Sequence, residues 1–275
     1  MDYIELTIPV ANAEQAEILT AWLADYPFDS FTTERTMLKA YIPQQQLADC
    51  KEDVDVLLAE QGIEGARYVS IEAQNWNALW ESNFEPVDVD GRIYIRAPFH
   101  TKPAGDALDV VIMPKMSFGT GHHATTHLMS ATLADLDVRG LNGLDMGSGT
   151  GVLAIIAAMQ GAAHLDAVDI DEWADENCRE NIVTNGVAEH ITPILGDVSA
   201  IQGRTYDFIL ANINRNILLA DMPHYAATLK VGGTLLMSGI LESDIDSITA
   251  RAEELGMRRV EIRLRNGWAM VRVEK

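Results

Sequence analysis

At 275 residues the chain is long enough for one large or two modest domains, and its 48% hydrophobic content supplies a real core and excludes wholesale disorder. A formal charge of −21 argues against a direct nucleic-acid binder, which needs Lys and Arg to grip phosphates. It suits a basic partner such as a lysine-rich protein, or it serves solubility alone. Cys50 and Cys178 are the only cysteines; they give neither a disulfide framework nor a paired metal spacing, which fits a reducing cytoplasm. The N-terminus lacks a targeting pattern, and no run approaches the roughly 18 apolar residues of a membrane span. A cytoplasmic protein without a membrane partner is therefore expected.

Residues 3–10 alternate like a half-buried strand. A helix is predicted from about Ala13 to Ala24, with Asn12 as its cap. Short strands follow near Phe28–Thr33 and Met37–Ile42, then a second helix over Gln45–Gln61 that stops at Gly62, then a strand over Arg67–Glu72. The order βαββαβ predicts a small ferredoxin-like α+β domain over residues 1–72. It gathers no catalytic residue types, so it reads as a substrate-recognition domain, with fold support or dimerisation as the alternative.

Residues 73–100 read as a linker. Within Asn75–Pro86, Trp76, Leu79, Trp80 and Phe84 recur at helical spacing and form one apolar stripe, as an anchor between modules would. Strands near Arg92–Ala97 and Leu108–Ile112 lead into the loop Pro114–His127, where two glycines stand beside Phe118 and several hydroxyls. A helix from about Ala124 to Leu136 puts Thr125 and Thr126 in its first turn. His122, His123 and His127 raise the question of a metal, but no Cys or carboxylate neighbour completes a set locally, so none is expected. A loop covering a cofactor is the better account.

The stretch Leu144–Asp171 organises the rest. A short apolar run ends in Asp145; Gly147, Gly149 and Gly151 follow at alternate positions; an Ala-rich helix runs to about Gln160; a second strand ends in Asp169. This is the opening unit of a doubly wound α/β fold. Glycines permit positive φ and let a ligand lie on bare backbone, and the helix aims its N–H groups at the turn. Asp169 suits the paired hydroxyls of a ribose. The dinucleotide fingerprint would need a glycine where Val152 stands. Asp145 would repel a pyrophosphate yet help to hold an ammonium, which favours S-adenosylmethionine. A nicotinamide or flavin site and an unliganded glycine turn are the alternatives.

Beyond it, Trp173–Asn185 is helical, and Ile191–Leu195 is a strand ending in Gly196-Asp197. Asp197 would accept from an adenine amine, or is a plain turn residue. Tyr206–Ile213 is a largely apolar strand of parallel-sheet type, and Asn212 at its carboxyl end faces the site. A helix, the strand Gly233–Ile240 and another helix to Leu255 continue the alternation. Arg258–Glu274 closes it as an antiparallel hairpin turning at Asn266-Gly267. Residues 101–275 thus form a Rossmann-like catalytic domain.

These residues resemble a known family. Asn75-Trp76…Trp80…Phe84-x-Pro86, Phe118-Gly119-Thr120-Gly121-x-His123-x-Thr125-Thr126, Asp145-x-Gly147-x-Gly149-x-Gly151 and Ala211-Asn212-Ile213 look like the PrmA family, the methyltransferases of ribosomal protein L11. The stretch from Phe118 is the specific part, and the chain departs from the family's frequent Asp-Pro-Gly with Met113-Pro114-Lys115. The resemblance implies a class I methyltransferase fold and S-adenosylmethionine contacts at Thr126, Gly147, Asp169 and Asn212. It implies a first domain that holds the ribosomal protein and swings on a linker, and products methylated on lysine side chains and an α-amine. Asn212 would accept a hydrogen bond from the reacting amine, while the loop Phe118–Thr126 excludes water. No dedicated general base is evident. The rivals are methylation of another protein or of a small-molecule amine, and a non-catalytic scaffold that binds the cofactor.

Overall fold

A computed structural model of the chain describes residues 3–34, 36–71, 85–115 and 119–275. It divides into compact units within Met1–Phe84 and Glu85–Lys275. The Trp76/Trp80 stripe and Phe118 lie outside the described residues.

In the first unit the elements run β1 (Tyr3–Pro9), α1 (Ala13–Leu23), β2 (Ser30–Glu34), β3 (Met37–Pro43), α2 (Gln44–Glu60) and β4 (Arg67–Ile71). The sheet order is β2-β3-β1-β4, antiparallel throughout. This is the split βαβ arrangement that the element order predicts. Strict alternation along β1 turns Ile4, Leu6 and Ile8 onto the helices, where they join Leu19, Leu23, Val54 and Leu58. Asn12 caps α1 by accepting from the Gln15 N–H at 2.9 Å, while Gln15 Oε1 accepts from the Ala11 N–H at 2.7 Å.

The second unit begins with a three-stranded sheet of β5 (Val87–Val89), β6 (Ile93–Arg96) and β7 (Leu108–Val111). Within residues 85–100, assigned to the linker, β6 matches the strand expected near Arg92–Ala97 and β5 was not expected, and Val89, Ile93 and Ile95 are buried in this unit's core. There follow α3 (Ala124–Leu133), β8 (Asn142–Met146), α4 (Val152–Met159), β9 (His164–Asp169), α5 (Glu172–Thr184), β10 (Ile191–Leu195), β11 (Tyr206–Asn212), α6 (Arg215–Thr228), β12 (Leu229–Leu241), α7 (Ile245–Glu254), β13 (Arg258–Arg265) and β14 (Trp268–Glu274).

The large sheet has the order β10-β9-β8-β11-β12-β14-β13. Strands β8 to β12 are parallel, and β14 pairs antiparallel with both β12 and β13. Two cores sandwich it. Leu165, Ala167 and Leu210 pack with Met129, Ile155 and Cys178 from α3, α4 and α5. Leu144, Met146, Val168, Ile209 and Ala211 pack with Leu218, Met222 and Ile248 from α6 and α7. Burial on both faces explains the continuous apolar runs of these strands. β12 starts earlier than its sequence suggests, because its pairing with β11 slips between Tyr206 and Phe208 and the strand bulges through Gly232 at φ 79. The chain leaves β8 for β9 and β10, then returns to β11 on β8's other side. A crevice opens at the carboxyl ends on either side of such a switch point. No helix among the described residues is long and apolar enough to cross a membrane.

Candidate active site

The glycine turn after β8 is fastened to β9: the N–H groups of Gly147 and Ser148 both donate to the Val168 carbonyl, at 2.8 and 3.1 Å. Gly147 and Gly151 sit at φ 72 and 79, the left-handed region. Each is also crowded. A Cβ on Gly147 would collide with the Ile213 side chain, and one on Gly151 would lie 2.6 Å from Cys178 Sγ. Space and conformation both require glycine there.

Asp169 ends β9 and is held from two sides. Gly149 N–H donates to its Oδ2 at 2.8 Å, and Asp171 N–H donates to its Oδ1 at 3.1 Å. These bonds fix the carboxylate at the mouth of a cleft of about 400 Å³. Gly147, Gly149, Asp169, Asp197 and Asn212 all line that cleft, together with the apolar walls Met146, Val168, Ile170, Ile213 and Ile217. Asp197 accepts from the Ser199 N–H at 2.8 Å, and hydrogen bonds from Ser199 hold its carboxyl below the usual carboxylate range. Asp221, also in the lining, shifts the other way, because burial disfavours its charge.

Two further residues expected at a cofactor are wholly enclosed and are not among those lining the cleft. Asp145 is 1% exposed; its Oδ2 accepts from the Ala154 N–H at 3.0 Å, and its Oδ1 has no partner among the described residues. Burial pushes its carboxyl up to about 7 against the pull of the Ala154 N–H, and the Asp169 charge adds to the rise. Thr126, in the first turn of α3, is likewise buried, with Oγ1 unpartnered among the described residues.

Asn212 is the junction. It lines the first cleft and a second pocket of about 280 Å³, bounded also by His123, Thr125, Ile213, Gly239 and Trp268. Its enclosed Oδ1 has no hydrogen-bond partner among the described residues, an arrangement that costs about 1–3 kcal/mol unless a ligand supplies a donor. His123 caps α3: its Nδ1 accepts from the Thr125 N–H at 3.3 Å and lies 2.7 Å from Thr125 Oγ1. The ring stands edge-on to Trp268 with centroids 4.6 Å apart. Gly239, at φ 83, lets β12 press against the Ile213 backbone. The sequence marks His123 as part of the specific stretch from Phe118 and as a metal candidate, not as a partner of Trp268, which was passed over although it directly follows the Asn266-Gly267 turn. Among the described residues no cluster of His, Cys, Asp and Glu is arranged to hold a metal.

A polar ladder supports the site from behind. Thr150 Oγ1 donates to the Gly119 carbonyl at 2.8 Å, which ties the glycine turn to the loop before α3. On α5, Asn181 Nδ2 donates to the Thr150 carbonyl at 3.0 Å, and Asn181 Oδ1 accepts from the Met113 N–H at 2.9 Å. One turn on, Asn185 bonds both the N–H and the carbonyl of Val111, at 2.8 and 2.7 Å. Both ends of the segment spanning 113–119 are thereby anchored.

Comparison with known proteins agrees with this geometry. The sequence profile of the family described as Ribosomal protein L11 methyltransferase (PrmA) matches residues 7–275. A protein of Porphyromonas gingivalis named Ribosomal protein L11 methyltransferase is 44% identical over 274 residues, which cover 98% of this chain and 92% of that protein. One of the same name from Chlorobaculum parvum is 32% identical over 286 residues, covering 99% and 96%. A crystal structure of ribosomal protein L11 methylase from Lactobacillus delbrueckii subsp. bulgaricus superposes with a TM-score of 0.65 at 24% identity, over 70% of this chain and 99% of that one, and shares the fold. With its profile matched almost end to end and its switch-point cleft in place, the chain belongs to the PrmA family of ribosomal protein L11 methyltransferases.

Proposed function

We propose that the 400 Å³ cleft holds S-adenosylmethionine and that the adjoining pocket receives an amine of ribosomal protein L11, lysine side chains and the N-terminal amine included. The carrying observation is Asn212, a residue that borders both spaces and whose enclosed side-chain oxygen has no partner among the described residues. The cleft suits the cofactor. Gly147 and Gly149 offer bare backbone, the Asp169 carboxylate meets ribose hydroxyls, and Asp197 accepts from the adenine amine. Thr126 is assigned to the same cofactor on the resemblance, Asp145 as the strand-end acid suited to an ammonium, and Phe118 as part of the covering loop.

When bound, S-adenosylmethionine supplies a methyl already made electrophilic by its sulfonium. The protein's share is to deliver an uncharged amine in line, and alignment alone removes several kcal/mol of barrier. A lysine amine with a pKa near 10.4 arrives protonated and must lose its proton first. The apolar walls Ile213 and Trp268 lower that pKa by desolvation. Asn212 Oδ1 then accepts an N–H of the neutral amine and so orients its lone pair, while the proton leaves to water. His123 packs edge-on to Trp268 and so helps to keep the indole wall in place. The first unit serves as the recognition module. Acting on a ribosomal protein, the enzyme would work in the cytoplasm, and its −21 charge argues against direct contact with nucleic acid.

Mass spectrometry of purified L11 incubated with the protein and S-adenosylmethionine tests this directly. Methylated lysines and a methylated α-amine are expected, and Asn212→Ala should lower kcat about 10- to 100-fold. Methylation of small amines but not of L11 would reject the substrate; no methylation of any amine would reject the enzyme.

A further inference from the structure

The first unit carries a cavity of its own. It measures about 420 Å³ and is lined by Gln15, Ile18, Leu19 and Trp22 of α1, with Asn12 ahead of that helix and Gln61 just after α2. Leu19 belongs to the unit's core, whereas Ile18 and Trp22 are 43% and 37% exposed. The apolar surface of α1 therefore extends past the stripe that its own sheet covers. A half-exposed Trp at the edge of a groove is the residue type that most often anchors a protein contact.

Charge decides the kind of partner. The two helices carry Glu14, Glu17, Asp49, Glu52, Asp53, Asp55 and Glu60 against the single base Lys51, which is already paired with Asp55 at 2.6 Å. The opposite face of the sheet is balanced: Lys39 and Arg67 stand there beside Glu5 and Glu34, and Lys39 pairs with Glu34 at 3.1 Å. So the acidic excess sits on the same face as the groove.

We infer that this α1 groove docks the protein substrate through an apolar side chain flanked by lysines or arginines. The apolar side chain would lie against Trp22 and Ile18, and the basic residues would meet the glutamates and aspartates of α1 and α2. This deepens the proposed recognition role of the first unit and rests on it. Burial at the groove gives affinity, while the acidic surround gives orientation and a faster encounter.

The test uses the full chain and purified L11 as probe. The variants are Ile18→Lys/Trp22→Ala in the groove, Glu14→Lys/Glu17→Lys beside it, and Val69→Lys on the open sheet face, each checked for fold by circular dichroism. The groove variant should raise the KM for L11 at least about tenfold, with kcat at saturation and affinity for S-adenosylmethionine unchanged. The charge variant should raise KM at low salt and less at high salt. Val69→Lys should leave KM alone. An unchanged KM in the groove variant overturns the inference. A rise in KM for Val69→Lys alone moves docking to the sheet face, which overturns the groove while sparing the recognition role. Sedimentation in which the groove variant dissociates a dimer at unchanged KM assigns the groove to a second copy instead. Wild-type protein that fails to methylate L11 rejects the parent reading before any variant is compared.

Discussion

Among the site residues, Asp169 and Asp145 are both strand-end carboxylates, and their surroundings give them different work. Asp169 keeps lone pairs free at the cleft mouth after accepting from Gly149 and Asp171. Asp169→Ala should weaken S-adenosylmethionine binding by about 1.5–3 kcal/mol in calorimetry, the range for a hydrogen bond to a charged group. Asp145 is sealed, and burial lifts its carboxyl from an ordinary 3.8 to about 7. Below pH 4 the group is protonated whether the chain is folded or not, and it contributes nothing. Between about 4 and 7 the folded chain keeps a proton that the unfolded chain has released, so stability falls as pH rises, by at most about 1.4 kcal/mol per unit. Above 7 the loss is complete. Asp145→Asn removes this slope: in urea unfolding it should gain on the wild type from pH 4 to 7 and hold a constant margin beyond. A margin independent of pH would mean the carboxyl is ionised in the fold. Residues of this kind were legible because glycine spacing and strand-end acids are local signals. The pocket of His123, Thr125, Gly239 and Trp268 was not, since only the closed sheet brings α3, β12 and β14 together.

For the helices and strands, periodicity revealed most of what the fold contains. The alternation of β1, the apolar run of β11 and the Asn266-Gly267 turn each carry their structure in a few neighbouring residues. Short β5 has too little length for a period to register, and the bulge in β12 depends on how its partner pairs. The asparagines of α5 show the limit most plainly. Asn177, Asn181 and Asn185 recur every fourth residue, a spacing that carries no sign of burial, and Asn177 and Asn181 are fully buried. Their partners are backbone groups of Val111, Met113 and Thr150, far away in sequence. Asn181→Leu would strand the Met113 N–H and the Thr150 carbonyl inside the protein. At about 1–3 kcal/mol for each of the two buried groups left unpaired, it should cost roughly 2–6 kcal/mol in urea unfolding. The same variant should also weaken cofactor binding, because Thr150 links this ladder to Gly119. A loss below about 1 kcal/mol would show that water replaces the amide.

The whole molecule comprises two units, each with a core of its own, as the proposed division between recognition and catalysis requires. A shortened chain beginning at Glu85 should therefore fold and bind S-adenosylmethionine, yet lose methylation of L11; full-rate methylation would strip the first unit of its recognition role. The βαββαβ order and the strand–helix alternation made two units readable from sequence, whereas the pairing of β5 and β6 with β7 did not show in a stretch that reads as linker. Charge acts at this scale too. With −21 on the enzyme, encounter with the proposed lysine-bearing substrate would be assisted from a distance. Exposed charges more than about 8–10 Å apart are screened at physiological salt, so this assistance fades as salt rises. The reacting amine, desolvated beside Trp268 and Ile213, is screened far less. Raising salt should therefore lower kcat/KM through slower association while single-turnover chemistry on saturated enzyme stays nearly constant. If the acidic surface served solubility alone and docking were purely apolar, kcat/KM would stay flat or rise slightly, because salting-out favours apolar burial. Stopped-flow association and single-turnover assays over one salt series separate the two, and a flat profile would leave the chemistry in place while removing the long-range attraction.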